Sequence, residues 1–434
     1  MATRPLDPSA RKPARKPAAK ARANAAPTLV VDAAAHPPLG MPAQTFLAHY
    51  WQKRPLLIRN AFPGLRSPLQ PEDLAGLACE EGALARLIQH DRARDHYSVR
   101  HGPFEESEFP GLPQQDWTLL VQDVDKWDAD VAALLPAFSF LPRWRIDDIM
   151  VSFAAPGGSV GAHVDQYDVF LLQAQGHRRW QIDARPNPPQ GFRADAELKL
   201  LREFEPSHDW VLGPGDMLYL PPGVPHHGVA EDACLTFSVG MRAPSAAELM
   251  GDYIDTLAAD ADEALRYTDP DLAPPRDPNE IDAAAMERVV QGLNALRMND
   301  PDRLGDWFGR FITVYRAAGE VSAGGAPAPS RIELDFALQH GATLWRHPWS
   351  RMAWRRAHAR GRAARLYVSG QEYALPAKDA QALAAAAELD LAGYSALSEA
   401  GRACVLELVA GGHYRLGHDD EADDAGDAFG DEEE

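Results

Sequence analysis

Two histidines and an aspartate on strand-like segments constrain this chain more than any other feature. His163 and Asp165 stand one residue apart in "SVGAHVDQYDVFLLQ", and further histidines follow a Pro-Gly turn in "GDMLYLPPGVPHHG". Residues i and i+2 of an extended segment point to the same face, so His163 and Asp165 can bind one ion together. The third ligand must come from a distant strand. A jelly roll, which delivers side chains from facing strands, meets this requirement.

The ligand set itself indicates the kind of metal site. Two imidazoles and one carboxylate leave coordination positions open, as in non-haem Fe(II) oxygenases, whereas a structural zinc site closes its fourth position with Cys or His. His226 and His227 face opposite ways on an extended segment, so only one of them can point inward. We assign His226 as the third ligand and keep His227 as the alternative or as a residue at the rim.

The stretch from Trp144 to Pro244 resembles a known family. Its segments "WRIDDIMVSFAAPGGSVGAHVDQYDVFLLQAQGHRRWQI", "PGDMLYLPPGVPHHG" and "LTFSVGMRAP" are similar to the bacterial ribosomal oxygenases, JmjC-type enzymes that depend on Fe(II), 2-oxoglutarate and O2. The resemblance runs from the region of Pro42 to that of Gly412 and excludes both tails. It implies an α+β chain with a double-stranded β-helix (jelly-roll, JmjC/cupin) catalytic domain, a helical dimerisation region and a small C-terminal winged-helix-like domain.

The resemblance also implies a reaction. It is the hydroxylation of an arginine side chain on ribosomal protein sixteen of the large subunit, with release of succinate and CO2. Relatives that hydroxylate histidine leave the substrate residue open. Two functions of other classes also stay open, a non-catalytic metal-binding cupin and a ribosome-binding adaptor. The intact ligand set argues against an inactive site.

By the same resemblance, His163, Asp165 and His226 hold the metal, and Arg178 binds the distal carboxylate of 2-oxoglutarate. A guanidinium suits this role because it forms two charge-assisted hydrogen bonds with one carboxylate. Arg178 and Arg179 alternate in direction on a strand, so one faces inward and the other is exposed. The resemblance selects Arg178.

Around the substrate, the resemblance places Asp148, Tyr167 and Ser238. An arginine substrate needs an acidic partner and a flat aromatic or apolar wall, because an unpaired buried charge is costly and the guanidinium plane stacks well. Asp148 and Tyr167 can supply both. Asp147 competes with Asp148, since only one of two adjacent strand residues faces the pocket.

Composition and pattern divide the chain into six parts. We predict a disordered basic arm at 1–35, the jelly-roll catalytic domain at 36–244, the helical dimerisation region at 245–316, a linker at 317–330, the winged-helix-like domain at 331–412 and a disordered acidic tail at 413–434. The chain up to Val30 has seven Lys or Arg against one acid, and from Leu416 onward it has ten acids and no Lys or Arg. Such charge runs are typical of disordered ends.

Three helical patterns follow the jelly roll. The first begins with a capping box of Ser245 and Glu248, and the third starts after Pro301. The second carries an apolar stripe, formed by Met286, Val289, Val290, Leu293 and Leu296. Helices appended to a jelly roll need something to cover their stripes, and the resembling family dimerises here. We therefore predict a homodimer.

In the C-terminal module, "ARLYVSGQEYALP" predicts a hairpin that turns at Ser369 and Gly370. Between Gly341 and Arg365 there are seven arginines and no acid, with three tryptophans interleaved. Arginines meet phosphates and aromatic rings stack on bases, so the segment is a candidate for weak rRNA contact. The competing interpretation, which we favour, packs the tryptophans in the module core and pairs the arginines with the acidic body.

The net charge of −20 suits a basic ribosomal protein better than bare nucleic acid. The three cysteines, Cys79, Cys234 and Cys404, lie too far apart to indicate a disulfide framework or a zinc ribbon. No apolar run reaches the roughly 18 residues of a membrane span, and the N-terminal stretch is not that of a secretory signal. We therefore predict a cytoplasmic enzyme without membrane contact.

Overall fold

The computed structural model describes residues 28–195, 197–274, 277–314, 329–357 and 361–417. The predicted basic arm up to residue 27, the predicted linker from 317 to 328 and the predicted tail from 418 lie outside the described residues. Among the helices that the structure does describe, none is both long enough and apolar enough to cross a membrane.

The catalytic domain is built on two β-sheets. Its strands are β1 (Val30–Asp32), β2 (Leu56–Arg59), β3 (Ala85–Asp91), β4 (His96–His101), β5 (Trp117–Val121), β6 (Ile146–Ala154), β7 (Val169–Gln175), β8 (Arg178–Ile182), β9 (His208–Leu212), β10 (Met217–Leu220), β11 (His226–Ala230) and β12 (Cys234–Met241). The larger sheet has the order β1-β2-β10-β7-β12-β6-β5-β3-β4, and the smaller one has the order β11-β8-β9. Strands β1 and β2 are parallel, and the other neighbours are antiparallel.

The two sheets face each other and enclose an apolar layer. Leu171 and Leu218 of the larger sheet pack in one cluster with Trp180 and Leu212 of the smaller sheet. Every residue of β12 is buried, as are nearly all residues of β7. A continuous apolar run fits a strand that is covered on both faces.

Short helices cover the outer face of the larger sheet. They are α1 (Ala43–His49), α2 (Pro71–Leu77), α3 (Val124–Trp127) and α4 (Ala129–Ala132), with 3-10 turns at Glu106–Gly111, Leu135–Phe138 and Arg143–Arg145. Phe46 of α1 is fully buried, with its ring centroid 5.0 Å from that of Tyr219 and 5.8 Å from that of Phe170. This aromatic layer holds α1 against β7 and β10.

Three helices follow the jelly roll: α5 (Ala246–Ala259), α6 (Ala283–Ala295) and α7 (Pro301–Thr313). The predicted capping box is present, because the Ser245 hydroxyl accepts from the Glu248 amide at 3.1 Å. Tyr253 and Leu257 of α5 pack on Trp307 of α7. The apolar stripe of α6 stays exposed in the single chain.

The C-terminal module has two small sheets and four helices among its described residues. Its elements are α8 (Arg331–Gln339), β13 (Thr343–Arg346), β14 (Met352–Arg356), β15 (Ala363–Val368), β16 (Gln371–Pro376), α9 (Ala377–Ala385), β17 (Glu388–Leu389), α10 (Leu391–Ser395), α11 (Glu399–Ala410) and β18 (Tyr414–Gly417). The sheets have the orders β17-β13-β18 and β14-β15-β16. The predicted hairpin is β15–β16, which turns at Ser369 and Gly370 with φ of 46° and 86°. Two successive positive φ values are typical of the tight type I′ hairpin turn.

Ordered structure extends past the predicted domain edges at both ends. Strand β1 lies within the segment predicted as a basic arm, and β18 lies within the segment predicted as an acidic tail. Their backbone groups are paired, β1 with β2 and β18 with β13. The Tyr414 side chain is 2% exposed, so its burial ties β18 to the module core. The basic run lies before β1 and the acidic run lies after β18, so neither strand is part of a charged tail.

Three of the six arginines that the structure describes in the arginine-rich segment meet acids or carbonyl oxygens: Arg346, Arg351 and Arg355. Arg346 donates to the carbonyl oxygens of Ala384 and Ala385, and Arg355 pairs with Asp306. Trp349 is buried. These contacts agree in part with the interpretation that we favoured, and rRNA contact stays a prediction.

Candidate metal centre and cosubstrate pocket

The ligand atoms of His163, Asp165 and His226 all lie within 4.8 Å of one another. The two histidines form an antiparallel bridge, in which each backbone amide donates to the other residue's carbonyl oxygen at 3.0 Å. Each Nδ1 lies 3.0 Å from a carbonyl oxygen, that of Gly161 for His163 and that of Val224 for His226. An Nδ1–H donated to a carbonyl leaves Nε2 as the free ligand atom, the usual arrangement of metal-binding histidines.

The turns before each ligand explain this geometry. Gly223, at φ 82°, closes the Pro-Gly turn before β11, and its amide donates to the Asp165 carbonyl oxygen at 2.8 Å. The ligands therefore come from neighbouring segments joined by backbone hydrogen bonds, where the sequence argument expected facing strands. Direct pairing is what fixes the short distance between them.

His226 is kept in the neutral form that a metal ligand needs. Its side chain is buried, and burial, followed by the nearby charge of His163, lowers its pKa to about 4. The neutral ring can therefore bind a cation without first losing a proton.

Arg178 lies on β8 and is 3% exposed. Its Nη1 is 3.4 Å from the Ser152 hydroxyl and its Nη2 is 3.4 Å from the Gly228 carbonyl oxygen, while Nε has no hydrogen-bond partner among the described residues. The guanidinium carbon lies 5.0 Å from the centre of the Trp180 ring. Burial lowers the pKa of Arg178, yet an arginine stays charged in proteins. A buried cation without a carboxylate within ion-pair distance, in the described part of the chain, indicates a place for an anionic ligand.

Position 228 is a close-approach site. A Cβ atom there would lie 2.7 Å from the Trp180 ring and 2.8 Å from the Arg178 Nε. Glycine therefore leaves room for the guanidinium to lie beside the indole ring.

Asp148 lies on β6 and is 8% exposed. Its Oδ2 accepts the Asp123 amide at 3.1 Å. Burial, followed by the charges of Asp123, Asp125 and Asp147, raises the pKa of Asp148 to about 7. Ser238, 7% exposed, lies on the neighbouring strand β12. Strand β6 thus carries a buried acid whose pKa lies near neutrality.

Tyr167 follows the Asp165 segment and is 42% exposed over the whole residue. Burial of its hydroxyl end, followed by the charges of Asp165 and Asp148, raises the pKa of Tyr167. Tyr167 is therefore partly exposed, while its hydroxyl lies near the Asp165 and Asp148 carboxylates.

Comparison with known proteins identifies the families to which the two domains are similar. Residues 133–249 match the JmjC domain family, and residues 295–415 match the ROXA-like winged helix. The chain is 38% identical over 301 residues to the ribosomal protein uL16 3-hydroxylase of Escherichia coli, an alignment that covers 69% of this chain and 79% of that one. The chain belongs to the JmjC ribosomal oxygenase family. The predicted α+β fold, with its jelly roll and C-terminal winged helix, is thereby confirmed, while the dimerisation role of the helical region stays a prediction.

Other members of the ribosomal oxygenase family support this assignment. A probable ribosomal oxygenase of Haemophilus influenzae is 41% identical over 230 residues, which are 53% of this chain and 54% of that one. The crystal structure of E. coli YcfD superposes with a TM-score of 0.78 at 34% identity and covers 87% of this chain and 99% of that chain. YcfD has also been solved in complex with cobalt and 2-oxoglutarate, and that structure superposes with a TM-score of 0.73 at 33% identity.

In this ribosomal oxygenase, the two members of each adjacent pair that the sequence left open have different surroundings. His227 lies outside the ligand cluster, and its ring centroid is 6.1 Å from that of Phe204, nearly perpendicular to it. Arg179 is half-buried and pairs with Asp209 at 2.8 Å and with Glu231 at 2.6 Å. In both pairs of neighbours the strand alternation decided which side chain points inward.

Asp147 and Asp148 also divide as alternation requires. The Asp147 carboxylate points away from the pocket and accepts from Arg351 of the winged-helix module at 3.1 Å. Sequence reasoning missed this contact, because the two residues are 204 positions apart. It also missed Ser152 beside Arg178, although Ser152 shares the face of Asp148 on β6 and period-two alternation alone could have found it.

Proposed function

We propose that this chain is an Fe(II)- and 2-oxoglutarate-dependent oxygenase that hydroxylates an arginine side chain of ribosomal protein sixteen of the large subunit, uL16. The observation that carries the proposal is the buried guanidinium of Arg178, which meets no carboxylate among the described residues. A dicarboxylate cosubstrate that chelates a metal with one end and meets Arg178 with the other accounts for it. The name of the E. coli relative and the YcfD complex with cobalt and 2-oxoglutarate support this assignment.

The donor atoms fit Fe(II). Two imidazole nitrogens and one carboxylate oxygen within 4.8 Å form the two-histidine, one-carboxylate set that leaves positions open for further ligands. His163, Asp165 and His226 would hold the metal, and Arg178 would hold the distal carboxylate of 2-oxoglutarate. When bound, the metal and 2-oxoglutarate supply O2 activation, in which one oxygen atom enters succinate as CO2 leaves and the other enters the substrate.

The chain's own residues position the reactants and keep water out. Arg178 would orient the cosubstrate by pairing with its distal carboxylate, and the buried Trp180 ring lies beside the guanidinium. The carbonyl oxygens of Gly161 and Val224 hold the ligand imidazoles in one orientation. No side chain has to move a proton during the reaction, because the protein's contribution is orientation and exclusion of water.

The pocket chemistry supports arginine as the target residue. Asp148 lies among Asp123, Asp125 and Asp147, whose charges raise its pKa. A substrate guanidinium would stabilise the ionised form of Asp148 and could lie against the partly exposed Tyr167. Ser238 adds a hydroxyl on the neighbouring strand β12. Because uL16 is a ribosomal protein, we also infer a cytoplasmic enzyme.

The test is mass spectrometry of uL16 incubated with the full chain, Fe(II), 2-oxoglutarate and air. We expect a mass gain of one oxygen atom on an arginine, and we expect at least a roughly 1,000-fold loss of rate in His163→Ala and Asp165→Ala because they lack a metal ligand. Arg179→Ala, which removes a half-buried arginine of the same strand as Arg178, is the control and should keep the activity.

Other outcomes of this experiment would indicate a different substrate or a different function. Modification of a histidine would confirm an oxygenase but show that its target residue is histidine and not arginine. Consumption of 2-oxoglutarate without any modified ribosomal protein would overturn the substrate. Absence of consumption would favour the metal-binding cupin or the adaptor.

We also infer a homodimer that forms through α5 and α6. Four apolar residues of the α6 stripe are each between 42% and 54% exposed: Met286, Val289, Val290 and Leu293. On α5, Met250 is 61% exposed and Ile254 is 43% exposed. An apolar surface of this kind marks an interaction site.

Sedimentation should show a dimer that Val290→Glu converts to monomer. Ile332→Glu, at an 81% exposed apolar position on α8, should leave the dimer intact, and dissociation by that variant would contradict the assignment.

A further inference from the structure

Arg351 joins the winged-helix module to the catalytic sheet. It directly precedes β14, and its Nη2 donates to the Asp147 carbonyl oxygen at 2.7 Å and to the Asp147 carboxylate at 3.1 Å. The Arg351 side chain is 10% exposed. Such a pair is less screened by solvent than a surface pair, so it holds its two segments together more firmly.

A second contact lies beside the first. The Trp349 ring, 8% exposed, meets the Trp127 ring edge to face, with centroids 6.1 Å apart and planes at 88°. Edge-to-face pairs of this kind are favourable. Trp127 is the last residue of α3, so the module contacts α3 as well as β6.

Both contacted segments support the Asp148 carboxylate. The amide of Asp123, which precedes α3, donates to Asp148 Oδ2 at 3.1 Å, and the Ile149 amide donates to Asp125 Oδ1 at 2.7 Å. Asp147 is the chain neighbour of Asp148. The module therefore contacts β6, the strand that carries Asp148. Through Trp127 it also contacts α3, whose first turn lies beside the Asp148 carboxylate.

We propose that Arg351 is a positioning residue for the substrate, which sets the direction of the Asp148 carboxylate from the winged-helix module without touching the substrate itself. The proposal rests on the proposed function, because it assigns the substrate guanidinium to Asp148. Arg351 holds the backbone of β6 at the position before Asp148, and a shift of about 1 Å in a substrate-positioning group is enough to weaken catalysis strongly.

Arg351→Met tests the positioning role through two separate readouts. We expect the KM for an arginine-containing uL16 peptide to rise about tenfold, because Asp148 is no longer held in the productive direction. Turnover of 2-oxoglutarate without peptide should stay within about twofold of the parent, because Arg178 and the metal ligands do not contact Arg351. Arg351→Lys, which keeps a cation, should recover part of the lost affinity. A purely architectural role would impair both together, with a higher peptide KM and a lower turnover of 2-oxoglutarate without peptide.

A matched control is available on the same strand. Arg355 of β14 pairs with Asp302 and Asp306 of α7, away from β6. Arg355→Met also removes an ion pair of the module, but it should leave the peptide KM unchanged. An equal rise of KM in both variants would contradict the proposal.

A double variant tests whether Arg351 acts through Asp148. Asp148→Asn alone should raise the peptide KM, and adding Arg351→Met should raise it by no more than about twofold further, since coupled residues are not additive. An additive effect would overturn the positioning role. If the parent hydroxylates the peptide but Arg351→Met is indistinguishable from it, only the positioning role fails. If the parent consumes 2-oxoglutarate but does not hydroxylate the peptide, the proposed substrate and the positioning role both fail.

Discussion

Arg178 in the catalytic domain is buried and Arg355 in the winged-helix module is half-buried, and the groups that they meet differ in kind. Arg355 lies 2.8 Å from the Asp306 carboxylate, and Asp306 also accepts the Tyr367 hydroxyl at 2.7 Å. Arg178 is more deeply buried and meets only a hydroxyl and a carbonyl oxygen at 3.4 Å among the described residues. A paired arginine stabilises the fold, whereas an unpaired one costs stability that a ligand can recover.

The acids of the two regions show the same contrast. Burial pushes the pKa of Asp306 up, but hydrogen bonds from Tyr367 and Arg355 outweigh it and hold the pKa below its usual value. Burial and neighbouring acids raise the pKa of Asp148 to about 7. Asp306 of α7 is held ionised by its Arg355 and Tyr367 partners, whereas Asp148 is a buried acid whose ionised form a cationic substrate would stabilise.

The largest expected effect is that of Arg178→Met on 2-oxoglutarate. Loss of a buried charge-assisted pair costs about 3 kcal/mol of binding, so the KM for 2-oxoglutarate should rise about 100-fold. Thermal unfolding without ligand should be unchanged or shifted upward, because a desolvated cation without an acid partner is removed. Steady-state kinetics and calorimetry check both parts.

Arg355→Met is the matched control for this prediction and should show the reverse pattern. The KM for 2-oxoglutarate should stay unchanged while the free energy of unfolding falls by about 1 kcal/mol. If Arg178→Met destabilised the protein and kept its affinity for 2-oxoglutarate, Arg178 would be a structural arginine like Arg355.

A smaller effect is expected from pH. Asp148 must be ionised to pair with a cation, so the KM for an arginine peptide should fall as pH rises through about 7, by about tenfold between pH 6 and pH 8. Asp148→Asn should have a high KM that does not vary in this range. Peptide kinetics at several pH values, with 2-oxoglutarate saturating, measure the difference. A peptide KM that falls equally in the Asn variant would assign the titration to another group.

The same carboxyl links stability to pH with a defined sign. Its pKa is higher in the folded chain than in the unfolded one, so the folded state holds a proton that the unfolded state has lost between about pH 4 and about pH 7. Its contribution to stability therefore decreases as pH rises through this window. Asp306, whose pKa is lowered, contributes in the opposite direction.

Sequence patterns predicted the features that depend on local geometry. The spacing of His163 and Asp165 predicted a shared face, the capping box at Ser245 predicted a helix start, and Ser369-Gly370 predicted a tight hairpin. The expectation of facing strands was wrong for the metal ligands, because two adjacent segments pair directly. No local sequence pattern predicts the contact of Arg351 with Asp147 or the contact of Trp349 with α3, because both join residues that are far apart in the chain.

By itself the sequence determined which residue types carry the chemistry and, through period-two alternation, that only one residue of each adjacent pair faces inward. The tertiary structure decided that His226, Arg178 and Asp148 are the inward ones and how each is charged. The reason is physical: the direction of a side chain on its own strand follows from backbone geometry, whereas burial, ion pairing and pKa depend on groups that the fold brings from distant parts of the chain.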